Sequence, residues 1–367
     1  MSSKQYVPLI IDIGYLHIAA GVAGDYKPSV VVATSYPDEN RTSVEQAPPF
    51  FEINDLALNK HEKDELYCKL RENKHYNALI ELYNAEQHNW LDMNDQVKLQ
   101  IKLDQVFTEL VLNPKSCKVV VIDRNFPAII KIKILNVLIN KIGVKSLIFQ
   151  PEPILSLIGG HIDNGIVVNI DWDRTTIHAI VDLREVAVKE LPKRYTGMGL
   201  HYLIAYKLIQ SESRLVKNKD DFHLIQEAIS QINLTDYKLP QYANEINSLD
   251  LVHDVVSELY FQDSTIIESI ESLVTLAHID SRKLLLENVI FTGEVSKIPG
   301  FKLKLLDLIK KRLNVEGTFT LGCWSGCSLY ISTKLIHDNA RWKEMQYTKD
   351  SLLQYITSNG FKLASII

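Results

Sequence analysis

The chain has 367 residues, 46% of them hydrophobic and 23% charged, with a formal net charge of -5 at pH 7. That length exceeds one ordinary core and supplies enough apolar residues for two α/β domains. So small a net charge gives no field able to gather nucleic acid or an anionic membrane by itself, which leaves specific protein surfaces as the expected partners.

Nothing after the polar start Met1 to Gln5 marks the chain for secretion or for a bilayer, so neither is expected. The chain then enters Val7-Pro-Leu-Ile-Ile-Asp-Ile-Gly14, an apolar strand ending in an acid and a glycine, and a second apolar run, Leu16 to Val22. Together they predict a β-hairpin turning near Gly14 and Tyr15. The stretch 37–95 is polar, contains Lys60-His-Glu-Lys-Asp-Glu65 and shows no strand period, so an irregular or helical insertion with a solvated surface is expected there. A helical pattern covers Val97 to Val111, a buried strand Lys118 to Asp123, a helix Pro127 to Ile142, a strand Ser146 to Phe149 and a short helix Pro153 to Ile158.

A second hairpin pattern lies at Gly165 to Val181, so similar to the first that it predicts a duplicated domain. Beyond it come a polar helical region, Asp220 to Val256, and a helix, Ser264 to Ala277, with Ile266, Ile267, Ile270, Leu273, Val274 and Ala277 on one face. A strand from Asn288 then runs into Gly293, an amphipathic helix spans Pro299 to Lys311, and a last helix runs from Trp324 to His337. Alternating strands and helices imply sheets covered by helices. Cys68, Cys117, Cys323 and Cys327 are too few for a disulfide framework. Cys323 and Cys327 share a helical face but lack the further ligands a zinc site needs, so no metal is expected.

Four ordered passages resemble the actin superfamily. Asp12-Ile-Gly14 with Gly21-Val-Ala-Gly-Asp-Tyr-Lys-Pro28 is similar to the first phosphate hairpin and the segment trailing it, and Gly165-Ile-Val-Val-Asn169 with Thr175 to the second hairpin. Phe291-Thr-Gly-Glu-Val-Ser-Lys-Ile-Pro-Gly-Phe301 resembles the adenosine-side motif, and Gly322-Cys-Trp-Ser-Gly-Cys-Ser-Leu329 the start of a late helix. The resemblance implies an α/β, actin-like two-lobed fold of duplicated ribonuclease-H-like domains with a cleft between the lobes. The first lobe would take 1–158, the second 159–367, with 320–367 packing back on the first.

In that family, backbone N–H groups of both hairpins hold ATP, helped by a lysine, an aspartate at each hairpin and a glutamine near the attacking water. Here Tyr15 and Leu16 replace the small continuation of the first turn, and Ala19 stands in place of the lysine, removing a charge-assisted contact. Asn169 replaces the second aspartate; Asp171, Trp172 and Asp173 bring charge and bulk to a turn meant for phosphate. Glu152 falls near the glutamine position, readable as a general base or as a helix-start carboxylate, and Glu294 replaces a glycine. The resemblance therefore implies a vestigial cleft lined by Asp12, Gly14, Tyr15, Asn169, Asp171, Thr175, Gly197, Gly293 and Glu294, with no catalytic residue, metal or cofactor. Gly197 and Gly199 are expected to need unusual backbone angles.

Leu112-Asn-Pro-Lys, the segment Lys145 to Leu157 and Ile279 to Ile290 are most similar to the actin-related proteins that cap the pointed end of the dynactin filament. That narrower resemblance implies a structural protein of the cytoplasmic cytoskeleton, partnered by a filament of actin-related protein one and other dynactin subunits and, indirectly, by dynein and microtubules. Two alternatives stand beside it: a nucleotide-binding actin-related ATPase, and an actin-related subunit of a chromatin-remodelling complex.

Overall fold

The computed structural model describes residues 6–34, 96–210, 219–234, 246–313 and 315–358, so the insertion expected at 37–95 lies outside the described residues. The chain forms two compact units. The first takes in 6–34, 96–163 and 319–358, the second 164–210, 219–234, 246–313 and 315–318.

In chain order the first unit begins with β1 (Val7–Ile13), β2 (His17–Val22) and β3 (Val30–Ala33), then α1 (Gln96–Glu109), β4 (Cys117–Asp123), α2 (Ala128–Leu135, continued by wider π-type turns over Asn136–Ile142), β5 (Ser146–Pro151) and α3 (Glu152–Ile158). The second unit supplies β6 (Gly165–Ile170), β7 (Thr175–Val181), β8 (Arg184–Leu191), α4 (Gly197–Gln210), α5 (Lys219–Gln231), α6 (Ile246–Val256), α7 (Thr265–Leu276), α8 (Ile279–Leu286), β9 (Val289–Thr292) and α9 (Phe301–Leu313). The chain then returns to the first unit with α10 (Gly322–Thr333), α11 (Asn339–Met345) and α12 (Lys349–Ser358).

The two sheets share a strand order. The first runs β3-β2-β1-β4-β5, the second β8-β7-β6-β9, and in each an antiparallel hairpin is joined through its first strand to a parallel neighbour. β1, β4 and β5 read as near-continuous apolar runs because helices cover both faces of their sheet. Leu9, Ile11, Val119, Val121 and Leu147 face a core shared with Leu99, Leu103, Val106 and Phe107 of α1 and Ile132 and Leu135 of α2. Ile10, Val120, Ile122 and Ile148 face the opposite way, onto Leu155 of α3 and Trp324, Cys327 and Ile331 of α10. The polar helical region expected over Asp220 to Val256 contains α5 and α6, and the stripe on α7 buries Ile266, Ile270 and Leu273.

Helix α1 ends in a strained cap. Val111 has φ 54° and is 89% exposed, while the N–H of Leu112 reaches back to the Phe107 carbonyl at 3.1 Å. This left-handed position after a helix is one that glycine takes without penalty and a β-branched residue takes under strain. Val111→Gly is expected to stabilise the protein by about 1 kcal/mol, because the relief of left-handed strain outweighs glycine's entropy in the unfolded chain. The shift in the urea midpoint of the first unit checks it, and an unchanged or lower midpoint counts against it.

Candidate functional site

In the first hairpin, Ile13 pairs with Ile18, leaving a turn of Gly14, Tyr15, Leu16 and His17; in the second, Ile170 pairs with Thr175, leaving Asp171 to Arg174. Asp12 and Asn169 therefore occupy equivalent places, one residue before the last pair of each hairpin. Across the parallel ladder Asp12 lies beside Ile122 and Asn169 beside Thr292, so the chain leaving the end of β4 or of β9 meets the hairpin turn.

Directly after β4 stands Arg124. Its Nε donates to Asp12 Oδ1 at 2.9 Å and its Nη2 to Asp12 Oδ2 at 3.0 Å, a two-pronged charge-assisted pair. Its Nη1 lies 3.7 Å from Glu152 Oε1, an ion pair beyond hydrogen-bond length. Asp12 is 7% exposed and Glu152 4%, so both carboxylates are withdrawn from water. The local chain sets the arginine's direction. Asn125 adopts a left-handed φ of 59°, which asparagine tolerates, and Asp123 Oδ1 accepts the N–H of Phe126 at 2.9 Å, closing the turn that carries Arg124. Ala19, opposite Asp12 on β2, brings no charge; the cation comes from the neighbouring strand.

Glu152 opens α3, so it is a helix-start carboxylate, and it is also a buried partner of Arg124. Gly14 has an ordinary backbone angle. Its N–H donates to the His17 carbonyl at 2.9 Å, and a Cβ there would sit 3.0 Å from that same oxygen. Thr34 holds the other side of the turn, its Oγ1 donating to the Tyr15 carbonyl at 2.5 Å and its N–H to that of Leu16 at 2.9 Å. Cys323 and Cys327 approach the same corner from α10. Burial, then the carboxylates of Glu152 and Asp12, push the Cys323 thiol well up; burial and Asp12 do the same to Cys327. Both thiols are thereby held protonated, the form that is a poor metal ligand.

In the second unit the hairpin turns inward upon α4. The N–H of Gly197 donates to the Asp171 carbonyl at 2.8 Å and that of Met198 to the Trp172 carbonyl at 2.9 Å. Thr196 N–H donates to the Lys193 carbonyl at 3.0 Å and Gly199 N–H to Thr196 Oγ1 at 3.0 Å. The four amides that a helix start leaves open are thus all taken from within the unit. Trp172, expected to add bulk on the turn, is instead 2% exposed, lying against Gly197 and edge-on to His201 with ring centroids 5.7 Å apart. Gly197 and Gly199 do not need unusual angles. They are glycines because of close approach: a Cβ would sit 3.1 Å from Trp172 Cε3 at one and 2.4 Å from the Lys193 carbonyl oxygen at the other.

The remaining candidates are similarly engaged. Thr175 is fully buried, its Oγ1 donating to the Tyr195 carbonyl at 2.9 Å, so it ties the hairpin to the start of α4 and lines no open surface. Asp171 Oδ1 accepts the N–H of Trp172 at 3.0 Å, and Asp173 is ion-paired with Arg174 at 3.2 Å. The charge of Asp173 is therefore met locally by Arg174, while Asp171 closes the turn on a backbone amide. Asn169 Oδ1 accepts from Thr292 Oγ1 at 3.2 Å. Gly293, at φ 88°, brings the end of β9 so near that a Cβ would meet the Ile170 carbonyl oxygen at 2.3 Å, and Glu294 pairs with Lys297 at 2.8 Å. Among the described residues no group of three or more His, Cys, Asp or Glu side chains could hold a metal ion. No helix among them is long and apolar enough to cross a membrane.

A family model described as Actin matches residues 3–249. The chain belongs to the actin family. The match takes in both hairpins, β4 with Arg124, and the start of α4, so the fold is the α/β, two-lobed one of that family. The passages Phe291 to Phe301 and Gly322 to Leu329 lie beyond the matched residues. No curated protein matches the chain. This actin-family chain does not fit a metal-bound polyphosphate at the residues described. Asp12 has given both oxygens to Arg124, the α4 amides are spent on the hairpin and on Thr196, and no cation stands on β2 opposite Asp12. Arg124 is the residue of this corner that reading the sequence missed; its only signal was a basic residue directly after a buried strand parallel to the one bearing Asp12.

Proposed function

We propose that this actin-related protein is a non-catalytic structural subunit that caps the pointed end of the short filament of actin-related protein one in dynactin. In this role it works in the cytoplasmic cytoskeleton, meeting other dynactin subunits directly and dynein and microtubules through them. The observation that carries the non-catalytic part is the engagement of both Asp12 oxygens by Arg124, with the opening amides of α4 taken by the carbonyls of Asp171 and Trp172 and by Thr196. Catalysis of phosphoryl transfer rests on donors and charges preorganised toward the phosphate, and the pairing of Asp12 with Arg124 supports the reading that this preorganisation is lost. The fold then serves its outer surface.

The choice of filament end and complex is supported by the segments around Leu112, Lys145 and Ile279 and by the polar stretch 37–95, which stands where actins carry the loop that engages the next subunit. Two measurements test the proposal. Denaturing chromatography of the native protein is expected to release far less than one adenine nucleotide per chain; a stoichiometric amount, with phosphate release, overturns the non-catalytic reading. Affinity purification is expected to recover dynactin components, whereas recovery of a helicase-type remodeller replaces the capping role with the chromatin one.

A further inference from the structure

Asp12 and Glu152 are two buried carboxylates converging on one point, and buried charges persist only when paired or bound to a cation. Two buried acids from β1 and the start of α3 would ordinarily have to share a proton or take up a hard divalent ion. Neither is required here, because a permanently charged guanidinium sits between them, 2.9 and 3.0 Å from the oxygens of one and 3.7 Å from the other. Arg124 is held for this task by its own turn, with Asn125 left-handed and Asp123 closing on Phe126.

We propose that Arg124 is a built-in counter-cation, standing where a divalent ion would otherwise bridge Asp12 and Glu152, so that the first unit keeps its acidic strand ends closed with no metal. Gln150 stands on the same face of the sheet, on the far side of Ile122 from Asp12. It lies beside Ile122 on β5, two residues before Glu152, and is 7% exposed; its Nε2 has no hydrogen-bond partner among the described residues. An amide can present its oxygen instead of its nitrogen, so with the arginine gone the same sheet face carries one neutral oxygen donor, across Ile122 from Asp12, in addition to the two carboxylates. The chemistry is that of a hard, oxygen-ligated ion such as Ca²⁺ or Mn²⁺.

The inference rests on the reading that this chain uses no metal-bound nucleotide; it is independent of the capping role. Calorimetric titration of the full chain with Ca²⁺ and Mn²⁺ is expected to show no saturable binding in the wild type, and its melting temperature is expected to stay constant up to millimolar ion. Arg124→Met, which keeps volume but removes the charge, is expected to melt several degrees lower and to recover much of that loss as Ca²⁺ or Mn²⁺ is added, with saturable binding. A wild type that takes up either ion overturns the proposal, as does a folded Arg124→Met that ignores both.

Should Arg124→Met fail to fold, the neutral pair Asp12→Asn with Arg124→Met decides the matter. With Glu152→Gln added, so that no unpaired charge is left buried, this fully neutral variant is expected to fold and to bind no ion, whereas its failure to fold makes Arg124 a packing element and sinks the proposal. Nucleotide content is read separately, so a chain free of nucleotide whose Arg124→Met variant ignores cations refutes this inference alone.

Discussion

Replacing Gly326 with alanine is expected to lower the stability of the first unit by about 3 kcal/mol or more, toward the upper end of what overpacking costs. Helices α3 and α10 meet backbone to backbone. A Cβ at Gly326 would lie 1.9 Å from the Leu155 carbonyl oxygen and 2.8 Å from the Gly159 nitrogen, and one at Gly159 would lie 2.5 Å from the Gly322 carbonyl oxygen. None of these neighbours is the end of a flexible side chain, so the added methyl can be housed only by moving a helix. Moving α10 outward lifts Trp324, Cys327 and Ile331 off Ile10, Val120 and Ile148 and admits water to that face of the sheet. Thermal unfolding, combined with hydrogen exchange in β1 and β4, reads the effect. A wild-type melting temperature for Gly326→Ala contradicts the close approach, and Ser325→Ala, which loses one partly exposed hydrogen bond to the Tyr26 carbonyl, is the mild control.

The second large effect belongs to Trp172. Trp172→Ala is expected to cost about 3–5 kcal/mol, the range for emptying a buried aromatic site. The cavity opens beneath the first turn of α4, against Gly197 and His201, where the hairpin carbonyls hold the helix amides. The loss is therefore expected to free the Gly197 and Met198 amides as well as to remove apolar contact. Hydrogen exchange should rise first at the hairpin turn and at the start of α4, ahead of α7 and α9. Trp172→Phe, which keeps most of the ring, is expected to lose about half as much or less, on the order of 1–2 kcal/mol. Protection unchanged in the alanine variant would mean that the tryptophan does not support that turn.

Much of the framework was legible because burial leaves a periodic trace. The apolar runs at Val7, Lys118 and Gly165 are strands, and the stripe on Ser264 to Ala277 is a helix whose Ile266, Ile270 and Leu273 face inward. The edge strands β3 and β8 were passed over. β8 alternates charge with valine and leaves Val186 and Val188 half exposed, so it carries no long apolar run, and β3 is only four residues long. Trp172 and Thr175 were read by their place on a turn, as groups that face outward. The hairpin instead folds onto α4 and buries both, a long-range contact that leaves no local pattern.

The sequence by itself determined the two α/β units, the pair of hairpins and the uncharged Ala19 on the strand after Asp12, since each is a matter of residue type and order along the chain. Only the tertiary structure decided which cation meets Asp12. Arg124 is 112 positions from Asp12 and meets it because β1 and β4 pair in parallel and end together. It likewise decided that the α4 amides are satisfied from the second hairpin, because a hydrogen bond between segments far apart in sequence depends on packing, which no neighbouring residue reports.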